Sequence, residues 1–304
     1  MTDTPSGDNS GFEVHTATGS IVGADSGQGP VLVFLHGGPG LSDYADLLAP
    51  ELAGWRVIHY QQRGLPPSTV DGPFTVEQNV ADAVAVLDAR GVDQAVVAGH
   101  SWGVHLALAL AVAHPDRVAG LVLVDGPGVA DDGGLGAMGQ TLMDRALPDA
   151  VARLQEVGER MSADGPTDDE ATEQLALLWP GYFADPATAP PPPSGMRVSA
   201  AINMAGVGSM FEHLASGFAE SVSGLTVPAI LVLGEQSPIP NVWGEQTAAL
   251  IPGARVRVIP GAGHLPWIER PGCVAGALSD LRAMTADPIE SRHRRDPELC
   301  AHHA

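Results

Sequence analysis

The chain has 304 residues, 44% apolar and 17% charged, a balance that fits a folded globular protein and excludes a disordered or fibrous one. Its length allows two ordinary domains or one α/β domain carrying an inserted lid. The formal charge is −21, from 15 basic and 36 acidic residues, which disfavours nucleic acid and anionic membrane surfaces as partners.

The first residues, MTDTPSGDNS, lack the basic and apolar segments of a secretory signal, and residues 1–10 are expected to be disordered. Glu13 to Val22 reads as an antiparallel edge hairpin. Val31–Leu35 (VLVFL), Gln94–Ala98 (QAVVA), Val118–Val124 (VAGLVLV), Ala229–Leu233 (AILVL) and Arg255–Ile259 (RVRVI) are short β-branched runs that predict strands, mostly buried on both faces. Helical patterns lie between and after them: Val76–Arg90, Trp102–His114, Val242–Leu250 and Cys273–Ala283. Strands alternating with helices predict a mostly parallel sheet covered on both sides, with core segments 11–125 and 224–284. No strand pattern occurs from about Gly126 to Ser223, so residues 126–223 are expected to form an inserted helical lid, with Pro190 to Pro193 as an extended connector.

The longest apolar stretch, Leu106 to Ala113, is far shorter than the roughly 18 residues that span a bilayer. Cys273 and Cys300 offer neither a disulfide framework nor a zinc spacing, so a cytoplasmic protein without metal or cofactor is expected. Residues 285–304 have no apolar periodicity and read as a disordered tail, where Cys300, His302 and His303 could bind a metal only adventitiously. Every basic residue is arginine, which removes Schiff-base, Walker A and Ser-Lys chemistry.

The chemistry concentrates at strand ends. Gly99-His100-Ser101-Trp102-Gly103 follows the strand QAVVA and opens a helical pattern, the setting of a nucleophile elbow. Small residues at both ends allow a sharp turn that exposes the Ser101 hydroxyl, while the Trp102 N–H faces a developing oxyanion. His36 to Gly40 (HGGPG) follows VLVFL and adds backbone donors at the same sheet edge. His264 lies in the Gly-rich loop just beyond RVRVI, where the α/β hydrolases, which these motifs resemble, carry their general base, and it is the candidate for that role.

With these motifs the chain resembles the α/β-hydrolase family over residues 10 to 284, and HGGPG with GHSWG resembles its proline iminopeptidase branch. The resemblance implies an α/β-hydrolase fold and an oxyanion hole from the N–H groups of Trp102 and Gly38, with Gly37 as the alternative. Gln62-Arg63-Gly64 resembles that branch's segment after the next strand, with Gln61 where the pattern has Asp, and Arg63 reads as a scaffold residue. Most of the family place an acid three residues after the glycine ending the strand before last, where this chain has Ser237. Asp125, ending the strand after the nucleophile helix, is the preferred substitute; Glu235 and a Ser101–His264 dyad stay open.

Relatives in the iminopeptidase branch hold a substrate ammonium with lid carboxylates, for which Glu212 and Glu173 are candidates. Met204, Met210, Phe211, Trp179, Tyr182 and Phe183 either line an acyl pocket or form the lid's own core. The expected activity is a serine hydrolase acting through an acyl-enzyme, releasing an N-terminal aminoacyl group from a peptide or small amine. A carboxylesterase or lactonase, or a non-hydrolytic protein on a degraded site, are the alternatives. The expected partner is a small-molecule or short-peptide substrate; the sequence leaves the oligomeric state open.

Overall fold

The computed structural model describes residues 10–286. Among these residues, eight strands form one sheet: β1 (Ser10–Thr16), β2 (Gly19–Gly27), β3 (Val31–Leu35), β4 (Arg56–Tyr60), β5 (Ala95–His100), β6 (Val118–Val124), β7 (Ala229–Gly234) and β8 (Arg255–Ile259). Their order is β1-β2-β4-β3-β5-β6-β7-β8. β2 pairs antiparallel with both β1 and β4, and every pair from β4 to β8 is parallel.

Successive residues of a strand point to opposite faces, and here both faces are covered. Val33, Leu35, Val97, Leu121, Leu123 and Leu231 join one apolar core, while Leu32, Phe34, Val96, Val122, Val124 and Ile230 join the other. That two-sided burial is why these strands read as unbroken apolar runs. β8 departs from the expected pattern, because at the sheet edge it alternates exposed and half-buried residues. β4 was implied only by the resemblance: Arg56 and His59 interrupt its apolar run, yet Val57, Ile58 and Tyr60 are buried.

Among the described residues, ten α-helices accompany the sheet. α1 (Val76–Ala89) and α2 (Trp102–Ala113) fall between strands of the first half, and α8 (Asn241–Leu250), α9 (Pro266–Glu269) and α10 (Cys273–Ala286) in the last part. Between β6 and β7 lie α3 (Leu135–Asp144), α4 (Pro148–Asp164), α5 (Asp168–Leu178), α6 (Ala200–Ala215) and α7 (Phe218–Ser223), with no strand among them. We propose on this connectivity that residues 11–125 and 224–284 form a core and residues 126–223 a lid. Ser10 belongs to β1, and Thr285 and Ala286 to α10; the rest of the two segments expected to be disordered, with Cys300, His302 and His303, lies outside the described residues.

Candidate active site

Parallel register brings the C-terminal ends of β3, β5, β6 and β7 to one edge, with Leu35 opposite Gly99, His100 opposite Val124, and Val124 opposite Val232. Ser101 follows β5 at φ 54° and ψ −125°, an unusual conformation for a residue with a side chain. The turn demands glycine on both sides. A Cβ on Gly99 would strike the Gly103 carbonyl, and one on Gly103 would strike the carbonyl of Leu35. The turn leaves Ser101 half-buried, and its hydroxyl bonds to no described residue.

Asp125 is the residue after β6, also at positive φ (48°), and its N–H bonds to the Val232 carbonyl at 2.9 Å. Its carboxylate is 1% exposed and accepts from Nδ1 of His264 at 3.0 Å and from the Gly234 N–H at 3.4 Å. Bonding through Nδ1 leaves Nε2 of His264 free, and this histidine lines the same cavity as Ser101. Ser237, in the slot where an acid was expected, sits beside Asp125, and its hydroxyl favours the charged carboxylate. Glu235 instead accepts the Gly261 N–H at 2.9 Å on the surface.

Burial pulls the His264 imidazole well below its ordinary pKa and pushes the Asp125 carboxyl up. Both effects oppose charge in a dry site. The ring is therefore neutral at rest, as a general base must be, while the nearby Ser237 hydroxyl and the Gly234 N–H favour the charged form of Asp125.

The HGGPG loop packs against the same turn. The Gly37 N–H donates to the Tyr44 hydroxyl at 2.6 Å, whereas no described residue accepts from the N–H groups of Gly38 or Trp102. Two free donors thus flank Ser101. Below them, Trp102 Nε1 donates to Gln62 Oε1 at 3.0 Å, and the Gln62 amide donates to the His36 carbonyl at 2.8 Å. Arg63 grips the buried carboxylate of Asp82 through Nε at 2.5 Å and Nη2 at 2.7 Å, which is a scaffold role.

A cavity of about 230 Å³ opens over Ser101 and His264. Its walls are mostly apolar, with Leu135, Met138, Trp179, Val207, Met210 and Leu265, and among the described residues no Asp, Glu or Arg lines it. The two lid carboxylates singled out in the sequence lie elsewhere. Glu173 is paired with Arg153 and Arg160 on the lid exterior, and Glu212 is exposed on α6. Neither lines the cavity: α5 turns Leu175 inward, and α6 turns Asn203, Val207 and Met210 inward. Of the other lid residues considered, Trp179 and Tyr182 also line it, Phe183 is core, and Met204 and Phe211 are 57% and 40% exposed.

The lid is fastened to the site from two directions. On one side the Ser199 N–H donates to the Gly40 carbonyl and the Asn203 amide to the Pro39 carbonyl, at 2.8 and 3.0 Å. On the other the His264 N–H donates to the Tyr182 carbonyl at 2.7 Å, and Glu269 accepts from Ala184 and Gly263. Tyr44 and Asn203 carried no motif and were missed as site residues; His100 was missed although it stands inside the elbow motif beside the nucleophile. Among the described residues, no group of three or more His, Cys, Asp or Glu could hold a metal ion, and no helix is long and apolar enough to cross a membrane.

Comparison with known proteins fits this geometry. Epoxide hydrolase B of Mycobacterium tuberculosis is 39% identical over 128 residues, 40% of this chain and only 35% of that protein. A proline iminopeptidase of Heyndrickxia coagulans is 26% identical over 272 residues, 84% of this chain and 92% of its own. In fold, a thermophilic esterase from Thermogutta terrifontis superposes with a TM-score of 0.64 at 24% identity, covering 91% of this chain and 99% of its own. The family model described as alpha/beta hydrolase fold matches residues 30–271, and the chain belongs to that family.

Proposed function

We propose that this protein is a serine hydrolase that cleaves uncharged carboxylic esters or lactones with an apolar acyl part. Ser101 attacks the carbonyl carbon while His264 Nε2 takes the hydroxyl proton. The negative oxygen of the tetrahedral intermediate accepts hydrogen bonds from the N–H groups of Gly38 and Trp102. Asp125 holds His264 through Nδ1 and offsets the imidazolium charge as it forms. His264 then returns the proton to the leaving alcohol, and water activated by the same base releases the acid and regenerates Ser101.

The observation that carries the choice of substrate is the cavity lining, which is mostly apolar and holds no carboxylate among the described residues. A free α-ammonium buried there would lose its hydration without a counter-charge, at a cost of several kcal/mol. Release of an N-terminal aminoacyl group is the second reading, favoured by the similarity to a proline iminopeptidase along 84% of the chain. Serine at the elbow, with a base within the same cavity, argues against a non-hydrolytic role.

Steady-state kinetics on p-nitrophenyl acyl esters and aminoacyl p-nitroanilides separate the readings. Esters are expected to be cleaved with the higher kcat/KM, and Ser101→Ala to remove both the turnover and labelling by a fluorophosphonate. A preference for aminoacyl substrates that falls tenfold or more on N-acetylation establishes the second reading instead.

A further inference from the structure

We infer that Tyr44 and His100 are positioning residues that lock the oxyanion loop, the nucleophile turn and the loop of the general base into one register; this rests on the serine-hydrolase reading above. The three loops come from distant parts of the chain, and a single file of hydrogen bonds joins them. The Gly37 N–H donates to the Tyr44 oxygen at 2.6 Å. Tyr44 Oη lies 2.6 Å from Nδ1 of His100, and Nε2 of His100 lies 2.8 Å from the His264 carbonyl.

The direction of every bond in this file is forced. A carbonyl oxygen only accepts, so Nε2 of His100 carries a proton and donates to it. A neutral ring then has a bare Nδ1, which accepts from the Tyr44 hydroxyl. That hydroxyl in turn accepts from Gly37. Every polar atom is satisfied by one tautomer of one neutral histidine, and burial keeps His100 neutral by pulling its pKa well below the ordinary value. The His264 and His36 rings disfavour a positive charge there as well.

Packing holds the file in place. Tyr44 and His100 are 7% and 2% exposed. The His100 ring meets Tyr44 edge-on at 5.7 Å and Trp267 edge-on at 4.8 Å, and lies 4.6 Å from the His264 ring. The file also decides which donors remain for the substrate. With the Gly37 N–H committed to Tyr44, the Gly38 N–H is the free donor of that loop, paired across the turn with Trp102.

The effect belongs to the transition state. The apolar cavity walls bind the acyl part whether or not the loops are in register, whereas an oxyanion is held only by donors at the correct distance. Tyr44→Phe breaks the file at its centre, leaving the Gly37 N–H and His100 Nδ1 unpaired. It is expected to lower kcat on p-nitrophenyl butyrate by about 10- to 100-fold, less than the loss of an entire oxyanion donor, and to leave KM within about threefold. The rate of Ser101 labelling by a fluorophosphonate should fall in step.

His100→Leu should behave like Tyr44→Phe. His100→Gln is the rescue: a neutral amide keeps one acceptor for Tyr44 and one donor for the His264 carbonyl, so kcat is expected within about fivefold of the parent. The acid limb of its kcat/KM profile should not move, because His100 does not titrate in the working range. Circular dichroism establishes that each variant is folded before it is read. Tyr44→Phe with kcat within twofold of the parent overturns the inference, as does a folded His100→Gln as slow as His100→Leu, or one whose acid limb shifts. A parent that the fluorophosphonate does not label at Ser101 overturns the hydrolase reading itself, which distinguishes the two failures.

Discussion

At the scale of the residue, the acid of the proposed triad is one point on which the chain differs from the pattern it resembles. A serine stands where an acid was expected, and the buried carboxylate of Asp125 lies 3.0 Å from His264 Nδ1. Ser237 has a different occupation: its hydroxyl favours the charged form of Asp125, so the serine supports a carboxylate supplied by the neighbouring strand. Glu235 is bonded to the Gly261 N–H. Asp125→Asn is therefore expected to lower kcat by several orders of magnitude, since the equivalent loss in a well-studied triad costs about 10⁴. Glu235→Gln should change kcat by less than about threefold. Measuring kcat for both variants checks the assignment, and the reverse ranking contradicts it.

At the scale of the element, the site is set by where strands stop. β3, β5, β6 and β7 are parallel and in register, so the loops after them share one edge, and the turn after β5 must reverse within a few residues. Gly103 permits this because the first turn of α2 passes against the end of β3, where any side chain would overlap the Leu35 carbonyl. Backbone on both sides cannot yield as a flexible side chain can. Gly103→Ala is expected to cost about 3 kcal/mol or more, at the upper end of overpacking penalties, and to lower activity through displacement of Ser101. Urea denaturation of the variant against the parent measures it. A loss below about 0.5 kcal/mol would show that the turn relaxes.

At the scale of the whole molecule, a heavily acidic chain with few cations concentrates several of them where elements must be tied together. Asp25 on β2 accepts from Arg56 of β4 at 3.0 and 2.7 Å and from Arg90, at the end of α1, at 2.8 Å. The hydrogen bond and charge of Arg56, followed by those of Arg90, hold the Asp25 carboxyl below its ordinary pKa of 3.8 despite burial. A depressed pKa in the folded state means that the contribution to stability is complete above about pH 4. It is lost as pH falls through the folded value, because the folded protein must then take up a proton that the unfolded chain already holds. Asp25→Asn should therefore lower Tm at pH 6 to 7, and the gap to the parent should narrow as pH falls below about 4. Melting curves across that range check the sign; a gap that widens towards acid pH contradicts it.

Much of this organisation is written locally. Apolar runs bounded by turn residues indicate five of the parallel strands, and glycines spaced around Ser101 and His264 indicate where the chain must turn, because sterics act within a few residues. Strand β4 escaped that reading, since Arg56 and His59 break its run and only neighbours on both sides of the sheet make it a central strand. Partner choice is different in kind. Asp125 meets His264 across 139 residues, and Tyr44 meets His100 across 56, because the sheet order sets β6 beside β7 and β3 beside β5. The lid shows the same limit: its composition suggested carboxylates for a cationic substrate, but helix rotation decides which side chains face inward, and α6 turns Asn203, Val207 and Met210 to the cavity while Glu212 meets solvent. The sequence by itself determined the turns and the reactive groups placed on them; only the tertiary structure decided which groups meet and what kind of pocket surrounds them, because those outcomes depend on packing between segments far apart in the chain.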